Sequence, residues 1–395
     1  MQTNQDLLWL TSAAAEEILL HVAEQWQRGV PILTMAKQLR RTLTPVRSAL
    51  VMELVQLRRR AQEKFPAADQ MFFTRRSLEQ STDFAISQYK AQRFKTYSAI
   101  ADICCGIGGD LIGLANLKQP DVLGLDCNSV LCEFARQNCR VCGGDAQVEC
   151  QAFEHLDLNA FTAIHIDPDR RDSKRRTNAE RFQPPLSEIR HRVGSETGLS
   201  VKLAPATRLD DDQWNQAERE WIGRGRECKQ QILWTGPLRR NPGCRTATVI
   251  QGQRIAHFAV PNEDRIRVEQ HAEQLGRWTY EPHAAVLAAE LTDTLADRFG
   301  LKRLAPGIGY LTGDLDQSSL LWARFETLSV ARIELREVKR ELERLNVGPI
   351  EIKNRGIGEE TLKPFRRLKS SGTIPATLLF TPTRSGGRVL ITRRC

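Results

Sequence analysis

A glycine-rich segment holds the residues whose types and spacing most clearly indicate chemistry. Residues 101–110 read Ala-Asp-Ile-Cys-Cys-Gly-Ile-Gly-Gly-Asp. The pattern predicts a strand that ends at a sharp glycine turn and is followed at once by a helix. Glycine lets the backbone approach a ligand closely, and the first N–H groups of the helix point toward it. We therefore expect a cofactor site here, with Asp102, Cys104, Gly106, Gly108 and Asp110 as binding residues.

Two classes of cofactor use a turn of this kind. A dinucleotide site needs a third glycine at position 111, where this chain has Leu111. An S-adenosylmethionine site instead places an acid near the end of the strand to meet the ammonium group of the cofactor, and Asp102 stands there. The loop alone favours the second class without excluding the first.

The next two predicted strands also end in residues suited to a nucleoside. Asp126 and Cys127 end the second strand, and a carboxylate at Asp126 can accept both ribose hydroxyls. Ala152 and Phe153 end the third strand, where an adenine ring can lie against Phe153. The alternatives are an exposed turn residue for Asp126 and a core aromatic for Phe153. We expect all four residues to contribute to the cofactor site.

The fourth predicted strand ends in Asp167-Pro168-Asp169-Arg170. A carboxylate beside the reactive end of a cofactor can accept hydrogen bonds from a substrate amine and orient its lone pair. Methyl transfer is an in-line displacement, so positioning supplies much of its acceleration. We predict Asp167, Pro168 and Arg170 as the catalytic residues, with Asp167 also contacting the cofactor. The alternative is that the proline only ends the strand. His165 fits a packed core residue better than a base.

The elements that position these residues fall into three predicted domains. Residues 1–95 are predicted to be helical, residues 96–280 form an α/β domain, and residues 281–395 form a compact α+β domain. In the second domain, short apolar segments alternate with amphipathic ones, which predicts a Rossmann-like sheet of seven strands. A helix is expected over Asp211–Gly223. The strands are expected at Ala99–Cys104, Asp121–Asp126, Gln147–Gln151, Thr162–Ile166, Leu199–Leu203, Gln231–Trp234 and Thr246–Ile250.

Composition and charge limit the class of protein. The 395 residues carry a net charge of +9, and 27% of them are charged, which excludes a largely disordered chain. No apolar run approaches the roughly 18 residues of a membrane span, and residues 1–8 lack the basic start of a signal peptide. We expect a cytoplasmic protein. Cys139 and Cys142 form one C-x-x-C pair without a second, so no metal is expected.

The basic residues cluster in three segments. Lys37–Arg60 has a net charge of +6, Arg170–Arg192 of +5 and Glu351–Arg394 of +7. Clusters of this kind suit a surface that binds a polyanion, because the release of counterions drives phosphate binding. The alternative is a set of solvated helix faces. We expect RNA as the partner, while the oligomeric state is not indicated.

Taken together, Asp102, the glycine turn, Asp126, Phe153 and Asp167-Pro168 resemble class I S-adenosylmethionine-dependent methyltransferases. The nearer likeness is to the trimethylguanosine synthase branch, the RNA-cap guanine-N2 methyltransferases, which have a similar Cys-Gly-x-Gly-Gly loop. The chain as a whole resembles an uncharacterised bacterial family in which this core carries a THUMP-like C-terminal domain. The residues that match that family are Val201-Lys202-Leu203-Ala204-Pro205, Glu281-Pro282, Gly309-Tyr310-Leu311-Thr312-Gly313 and Ile352-Lys353-Asn354-Arg355-Gly356. The resemblance implies S-adenosylmethionine as the cofactor and RNA binding by the tail.

The chain departs from that pattern at two places. Asp169 and Arg170 stand where amino-methylating members usually have a second proline and a base-stacking aromatic. Ala152 replaces an acid that often takes the adenine amino group. Arg170 can stack through its guanidinium plane or grip a phosphate.

The sequence therefore predicts an RNA methyltransferase that acts on a base amino or ring nitrogen. Two alternatives stay open: a non-catalytic RNA-binding protein on the same scaffold, and a methyltransferase with a protein or small-molecule acceptor. Five basic residues after the fourth strand are predicted to guide the phosphates of the RNA: Arg170, Arg171, Lys174, Arg175 and Arg176.

Overall fold

The computed structural model describes residues 3–117, 121–170, 182–209 and 213–395, with the backbone alone at Arg170. The chain divides into two compact units. One comprises Met1–Ala217 and Ile232–Arg240, and the other comprises Glu218–Gln231 and Asn241–Cys395. Each unit is described by itself below.

The first unit begins with helices, as predicted. Helix α4 (Pro45–Ala61) buries Leu50, Leu54 and Leu57 along one face, and Thr44 caps its start by accepting a hydrogen bond from the Arg47 N–H. Two helices end this segment, because the Asp83 side chain caps the start of the second by accepting a hydrogen bond from the Ile86 N–H. The six helices are α1 (Asn4–Trp9), α2 (Ala13–Gln27), α3 (Ile32–Leu39), α4 (Pro45–Ala61), α5 (Arg75–Gln80) and α6 (Phe84–Ala91).

A parallel sheet follows these helices. Its first five strands lie in the order β3-β2-β1-β4-β7, and the strand that includes residues 232–235 lies beyond β7. A short antiparallel ribbon, β5 with β6, lies outside this sheet. The strands are β1 (Ala99–Ile103), β2 (Asp121–Asp126), β3 (Gln147–Cys150), β4 (Ala163–Ile166), β5 (Asp169–Arg170), β6 (Phe182–Gln183) and β7 (Gly198–Leu203).

Helices connect the parallel strands, which brings the carboxyl ends of the strands to one edge of the sheet. Helix α7 (Leu111–Ala115) follows β1, α8 (Ser129–Val141) follows β2, and α9 (Leu186–Arg192) precedes β7. Asn128 caps α8 by accepting hydrogen bonds from the backbone N–H groups of its first turn. Strands β1 and β4 are almost completely buried, as their apolar sequences require.

The second unit begins with a strand where a helix was predicted. The helix expected over Asp211–Gly223 is wrong: Glu218–Arg224 forms β8, parallel to β10 (Cys244–Gln251). Residues 218–223 are all buried, which suits a strand covered on both faces and leaves no exposed helical face. Glu220 is buried with a hydrogen bond from Thr248. Residues 210–212 lie outside the described part of the chain.

Two further strands complete this part of the second unit. β9 (Glu227–Thr235) follows β8, and its residues 232–235 belong to the first unit. β11 (Arg254–Pro261), which was not predicted, pairs antiparallel with β10. Observed strands correspond to all seven that were predicted.

A second sheet forms the rest of this unit, in the order β13-β14-β12-β15-β18-β17-β16. Glu290, at a φ of +55°, separates the first two helices of this region. The strands are β12 (Trp278–Pro282), β13 (Lys302–Arg303), β14 (Leu311–Gly313), β15 (Trp322–Arg332), β16 (Val347–Asn354), β17 (Ile374–Thr383) and β18 (Gly386–Arg394). The helices are α10 (Ala284–Ala288), α11 (Thr292–Arg298), α12 (Leu335–Arg344) and α13 (Glu359–Leu362).

Candidate functional site

The loop between β1 and α7 has the sharp turn that its glycines predict. Cys104, Gly106 and Gly108 adopt positive φ angles of 58°, 56° and 85°. A Cβ built on Gly106 would have no atom within 4 Å, so this part of the loop faces open space. A left-handed conformation in Cys104, which is not glycine, is uncommon and is typical of a functional turn.

The loop forms one wall of a cavity of about 480 Å³ in the first unit. The ends of β1, β2, β3 and β4 supply most of the other walls, and α5 contributes Arg76 and Gln80. The predicted site residues that line the cavity are Asp102, Cys104, Gly106, Asp110, Asp126, Cys127, Ala152, Phe153, Asp167 and Pro168.

The remaining predicted residues lie elsewhere or outside the described part of the chain. A Cβ built on Gly108 would lie 3.5 Å from Ala135 of α8, and Gly108 does not line the cavity. Arg170 lies in β5, where only its backbone is described. The predicted phosphate contacts Arg171, Lys174, Arg175 and Arg176 fall outside the described residues.

Asp126 is held by the backbone on both sides. Its Oδ2 accepts a hydrogen bond from the Gly106 N–H at 3.0 Å, and its Oδ1 accepts one from the Asn128 N–H at 2.9 Å. Burial raises the pKa of the Asp126 carboxyl. Each carboxylate oxygen keeps a second lone pair, so Asp126 can still accept hydrogen bonds from a ligand in the cavity.

Asp102 is completely buried at the end of β1. No residue in the described ranges donates a hydrogen bond to either of its carboxylate oxygens. Burial raises the pKa of Asp102 well above its usual value, and the neighbouring Asp110 carboxylate adds to the shift. A buried carboxyl group without a partner is costly. Asp102 therefore suits a ligand that carries a positively charged group.

Asp110 belongs to a buried polar network that was not predicted from the sequence. Its carboxylate lies 2.5 Å from the Lys90 ammonium nitrogen and accepts a hydrogen bond from Thr82 at 2.6 Å. The His165 Nε2 lies 3.3 Å away, and the Lys202 Nζ 3.9 Å away. Burial alone raises the pKa of Asp110, but the Lys90 cation and the other neighbours hold it well below its usual range. The Asp110 side chain is thus engaged mainly by the protein.

His165 is a packed core residue, as expected. Its side chain is only 2% exposed, and its Nδ1 lies 2.9 Å from the hydroxyl of Ser200 on β7. Burial lowers the pKa of His165. The neutral ring joins β4 to β7 and supports Asp110 beneath the cavity.

Asp167 lies at the end of β4 and faces a lysine. Its Oδ2 is 2.6 Å from the Lys202 Nζ, and its backbone N–H donates to Ile103 O at 3.1 Å. The next acid, Asp169, forms two hydrogen bonds with Arg76 of α5, at 2.9 and 3.2 Å. Pro168 lies between them and lines the cavity. Two cations therefore accompany the two acids of this motif.

Phe153 is both a cavity residue and a core residue. The residue is 7% exposed and belongs to the apolar core of the first unit. The Arg192 guanidinium lies 4.4 Å from the ring centroid and donates a hydrogen bond to Phe153 O at 2.7 Å. Arg192 thus fixes the position of Phe153 at the edge of the cavity.

The described ranges lack two kinds of feature. Among these residues, no group of three or more His, Cys, Asp or Glu side chains is arranged to hold a metal ion. Within the same ranges, no helix has both the length and the apolar character needed to cross a bilayer.

Comparison with known proteins places this geometry in context. No protein-family model matches the chain. Two curated proteins of Mycobacterium tuberculosis, from strains CDC 1551 / Oshkosh and ATCC 25618 / H37Rv, are each 27% identical to it over 351 residues. The match covers 86% of this chain and 94% of each relative. Both relatives are named uncharacterized S-adenosylmethionine-dependent methyltransferases.

A solved structure has the same fold. A crystal structure from Porphyromonas gingivalis W83, of a protein described as a candidate methyltransferase, superposes with a TM-score of 0.72 at 20% identity. The match covers 92% of this chain and 98% of that one. The likeness and the parallel sheet confirm the predicted Rossmann-like α/β fold.

Proposed function

We propose that this protein transfers a methyl group from S-adenosylmethionine to a nitrogen of an RNA base. That it is an S-adenosylmethionine-dependent methyltransferase follows from the fold and from the relatives that carry this name. The proposal adds two points to this: that the acceptor is RNA, and that individual residues of the cavity have the roles given below.

One observation supports the proposal above all others. Asp102, Asp126 and Asp167 come from the ends of three different strands, yet they line one cavity together with the open turn at Gly106. A ligand in that cavity can contact carboxylates at three separate points and the backbone of the turn at a fourth. This arrangement suits a nucleoside that carries an amino-acid chain.

The charges of the cavity fit that cofactor. Three carboxyl groups, those of Asp102, Asp110 and Asp167, lie near two ammonium groups, those of Lys90 and Lys202. When Asp102 is ionised as well, the cluster carries three negative charges and only two positive ones. The ammonium group of S-adenosylmethionine supplies the missing positive charge and a donor for the unpartnered carboxylate oxygens.

The remaining residues of the cavity take complementary roles. When bound, S-adenosylmethionine supplies an electrophilic methyl group on a sulfonium. Asp126 accepts hydrogen bonds from the ribose hydroxyls, and Gly106 leaves space for the ligand. Phe153 offers an apolar edge to the adenine ring. Asp167 orients an N–H of the acceptor, so that the nitrogen lone pair points along the line of displacement.

Exposed basic residues of the first unit support RNA as the acceptor. Lys37, Arg40, Arg41 and Arg60 of the helical segment are exposed, and no acid in the described ranges forms an ion pair with them. Cations of this kind attract the phosphate backbone without regard to sequence. Arg58, in contrast, donates hydrogen bonds to backbone carbonyls and has a structural role.

We extend the proposal to the three predicted domains. Residues 1–95 and 281–395 flank the catalytic part at 96–280 in sequence, and we assign RNA contacts to both flanking segments. The THUMP-like character of residues 281–395 is supported by the tail motifs and by exposed Arg367 and Lys369 in the second unit. Arg366 nearby pairs with Glu359.

The experiment that tests the proposal is the transfer of tritiated methyl from S-adenosylmethionine to RNA taken from cells that lack this protein. The wild type is expected to label the RNA. Asp167→Ala is expected to abolish labelling and to retain S-adenosylhomocysteine binding, because Asp167 serves mainly the acceptor. Asp264→Ala, a matched change at an exposed acid of the second unit, is expected to behave as the wild type.

Other results would redirect the proposal. Label in protein or small molecules, with none in RNA, would contradict the RNA acceptor and leave the methyltransferase intact. Equal loss of cofactor binding and transfer in Asp167→Ala would assign Asp167 to the cofactor. RNA binding without any transfer would favour a non-catalytic RNA-binding protein.

A further inference from the structure

Lys202 lies beside the predicted catalytic acid, although the proposed function gives it no part in positioning the acceptor. Strands β4 and β7 pair in parallel with Ile166 opposite Val201, so Lys202 follows directly opposite Asp167. Its Nζ lies 2.6 Å from the Asp167 Oδ2. The Lys202 side chain is 10% exposed and lines the cavity.

Three groups hold the Lys202 ammonium in place. Besides Asp167, it donates a hydrogen bond to Gln80 O at 3.2 Å and lies 3.9 Å from the Asp110 Oδ2. Gln80 ends helix α5, so this contact joins the helical segment to the sheet. Burial alone lowers the pKa of Lys202, but the Asp167 and Asp110 carboxylates raise it above its usual value. The lysine therefore stays a cation at neutral pH.

The ion pair leaves one oxygen of Asp167 for another partner. Lys202 occupies Oδ2, and no residue of the described ranges donates to Oδ1. The Asp167 side chain is 34% exposed and lines the cavity. Fixing one oxygen restricts rotation of the carboxylate and so defines the direction in which the other accepts a hydrogen bond.

We infer that Lys202 is a positioning residue that holds Asp167 for an acceptor with an uncharged N–H group. This inference rests on the proposed methyltransferase function. In the reaction, the acceptor nitrogen forms the new N–C bond with its lone pair while the methyl–sulfur bond breaks and leaves its electron pair on sulfur. The surplus proton on nitrogen passes to Oδ1 of Asp167 and then to water.

The charge of Lys202 also selects the class of acceptor. Its cation neutralises Asp167 and lies within a few ångströms of any group that binds Oδ1. A protonated aliphatic amine, such as a lysine side chain of a protein, would meet a like charge beside the Asp167 carboxylate, which disfavours its binding. An exocyclic amine or ring N–H of a base carries no charge and meets no such penalty.

Steady-state kinetics on a double-mutant cycle tests the inference. Lys202→Met is expected to lower kcat about 100-fold, as a displaced acceptor does, and to leave the KM for S-adenosylmethionine within about twofold. Lys202→Arg is expected to recover part of the loss, because it restores the cation. Since Lys202 acts through Asp167, adding Lys202→Met to Asp167→Asn is expected to cause little further loss.

The controls separate this inference from the proposed function and from misfolding. Lys229→Met removes an exposed ion pair with Glu227 in the second unit and is expected to leave kcat unchanged. Should Lys202→Met fail to fold, Lys202→Gln provides a second neutral variant that keeps a donor for Gln80 O. Turnover of the neutral variant within twofold of the wild type, or losses that multiply in the double variant, would overturn the role of Lys202. Absence of turnover in the wild type would instead contradict the proposed function.

A second arm tests the acceptor class with poly-lysine as the probe. The wild type is expected to methylate RNA and to leave poly-lysine unlabelled. Labelling of poly-lysine at the rate of RNA or faster would overturn selection against charged amines.

Discussion

The ammonium nitrogen of Lys90 lies 2.5 Å from the Asp110 carboxylate, and the side chains are only 4% and 7% exposed. The pair joins helix α6 to the loop that forms the cofactor cavity. Loss of one partner of a buried pair leaves a charge without compensation, which costs far more than loss of an exposed pair.

Lys90→Met is therefore expected to lower the free energy of unfolding by about 3 kcal/mol, because Asp110 loses its main cation. Chemical denaturation at neutral pH measures the change. Lys229→Met, at an exposed pair, serves as the control and is expected to cost less than about 1 kcal/mol. Equal effects of the two substitutions would contradict the structural role of the Lys90–Asp110 pair.

The same pair predicts the behaviour of the fold in acid. The folded state holds the pKa of Asp110 well below its usual value, so Asp110 contributes stability above the unfolded pKa of about 3.9. That contribution is lost as the pH falls through the folded pKa. In Asp110→Asn, we expect unfolding measured between about pH 5 and pH 2 to depend less on pH than in the wild type. An unchanged pH dependence would contradict this assignment.

Cofactor binding is expected to release protons from Asp102. Burial and Asp110 raise the pKa of Asp102 in the free protein, whereas a bound ammonium group favours its ionised form. Affinity for S-adenosylhomocysteine should therefore rise with pH until Asp102 is ionised in the free protein. Calorimetry in buffers of different ionisation enthalpy measures the protons, and Asp102→Asn should abolish the release. Proton uptake in the wild type would contradict this role for Asp102.

Alanine at two glycines, Gly106 in the loop and Gly113 in helix α7, is expected to affect cofactor binding and packing differently. Gly106→Ala adds a methyl group in open space at a left-handed residue and should cost roughly 1 kcal/mol of stability. Because Gly106 lines the cavity, the affinity of the Gly106→Ala variant for S-adenosylhomocysteine should fall about tenfold, or about 1.4 kcal/mol. A Cβ on Gly113 would meet Ser87 O at 2.5 Å, so Gly113→Ala should cost about 1 to 3 kcal/mol of stability.

Thermal unfolding and calorimetry on both glycine variants check this separation. Gly113→Ala should keep its affinity wherever it stays folded. Normal affinity in Gly106→Ala would show that the ligand does not approach this turn.

The sequence predicts the strand ends well, because apolar runs and glycine turns are local signals. Asp102, Asp126 and Asp167 each lie near or just after the end of a predicted strand, and the parallel arrangement brings them to one cavity. The prediction of a helix over residues 211–223 is wrong for a physical reason. Glu218 and Glu220 are buried in a strand, so its sequence has the polar residues of an amphipathic helix, and their hydrogen-bond partners are distant in sequence.

The polar network under the cavity could not be found by spacing, since its members come from separate elements. Thr82 and Lys90 lie before the sheet in sequence, whereas Lys202 lies in β7. One signal was available in each case: Lys202 stands between Val201 and Leu203 in an apolar strand, and Lys90 is four residues after Ile86 on a buried helix face.

Calorimetric titration with S-adenosylhomocysteine tests the central claim most directly. The wild type should bind it with micromolar affinity, and Asp126→Ala should bind it about 100-fold more weakly, because two carboxylate hydrogen bonds to the ribose are lost. Asp264→Ala should bind as the wild type does. Absence of binding to well-folded wild type, or unchanged affinity in Asp126→Ala, would contradict the assignment of this cavity to the cofactor.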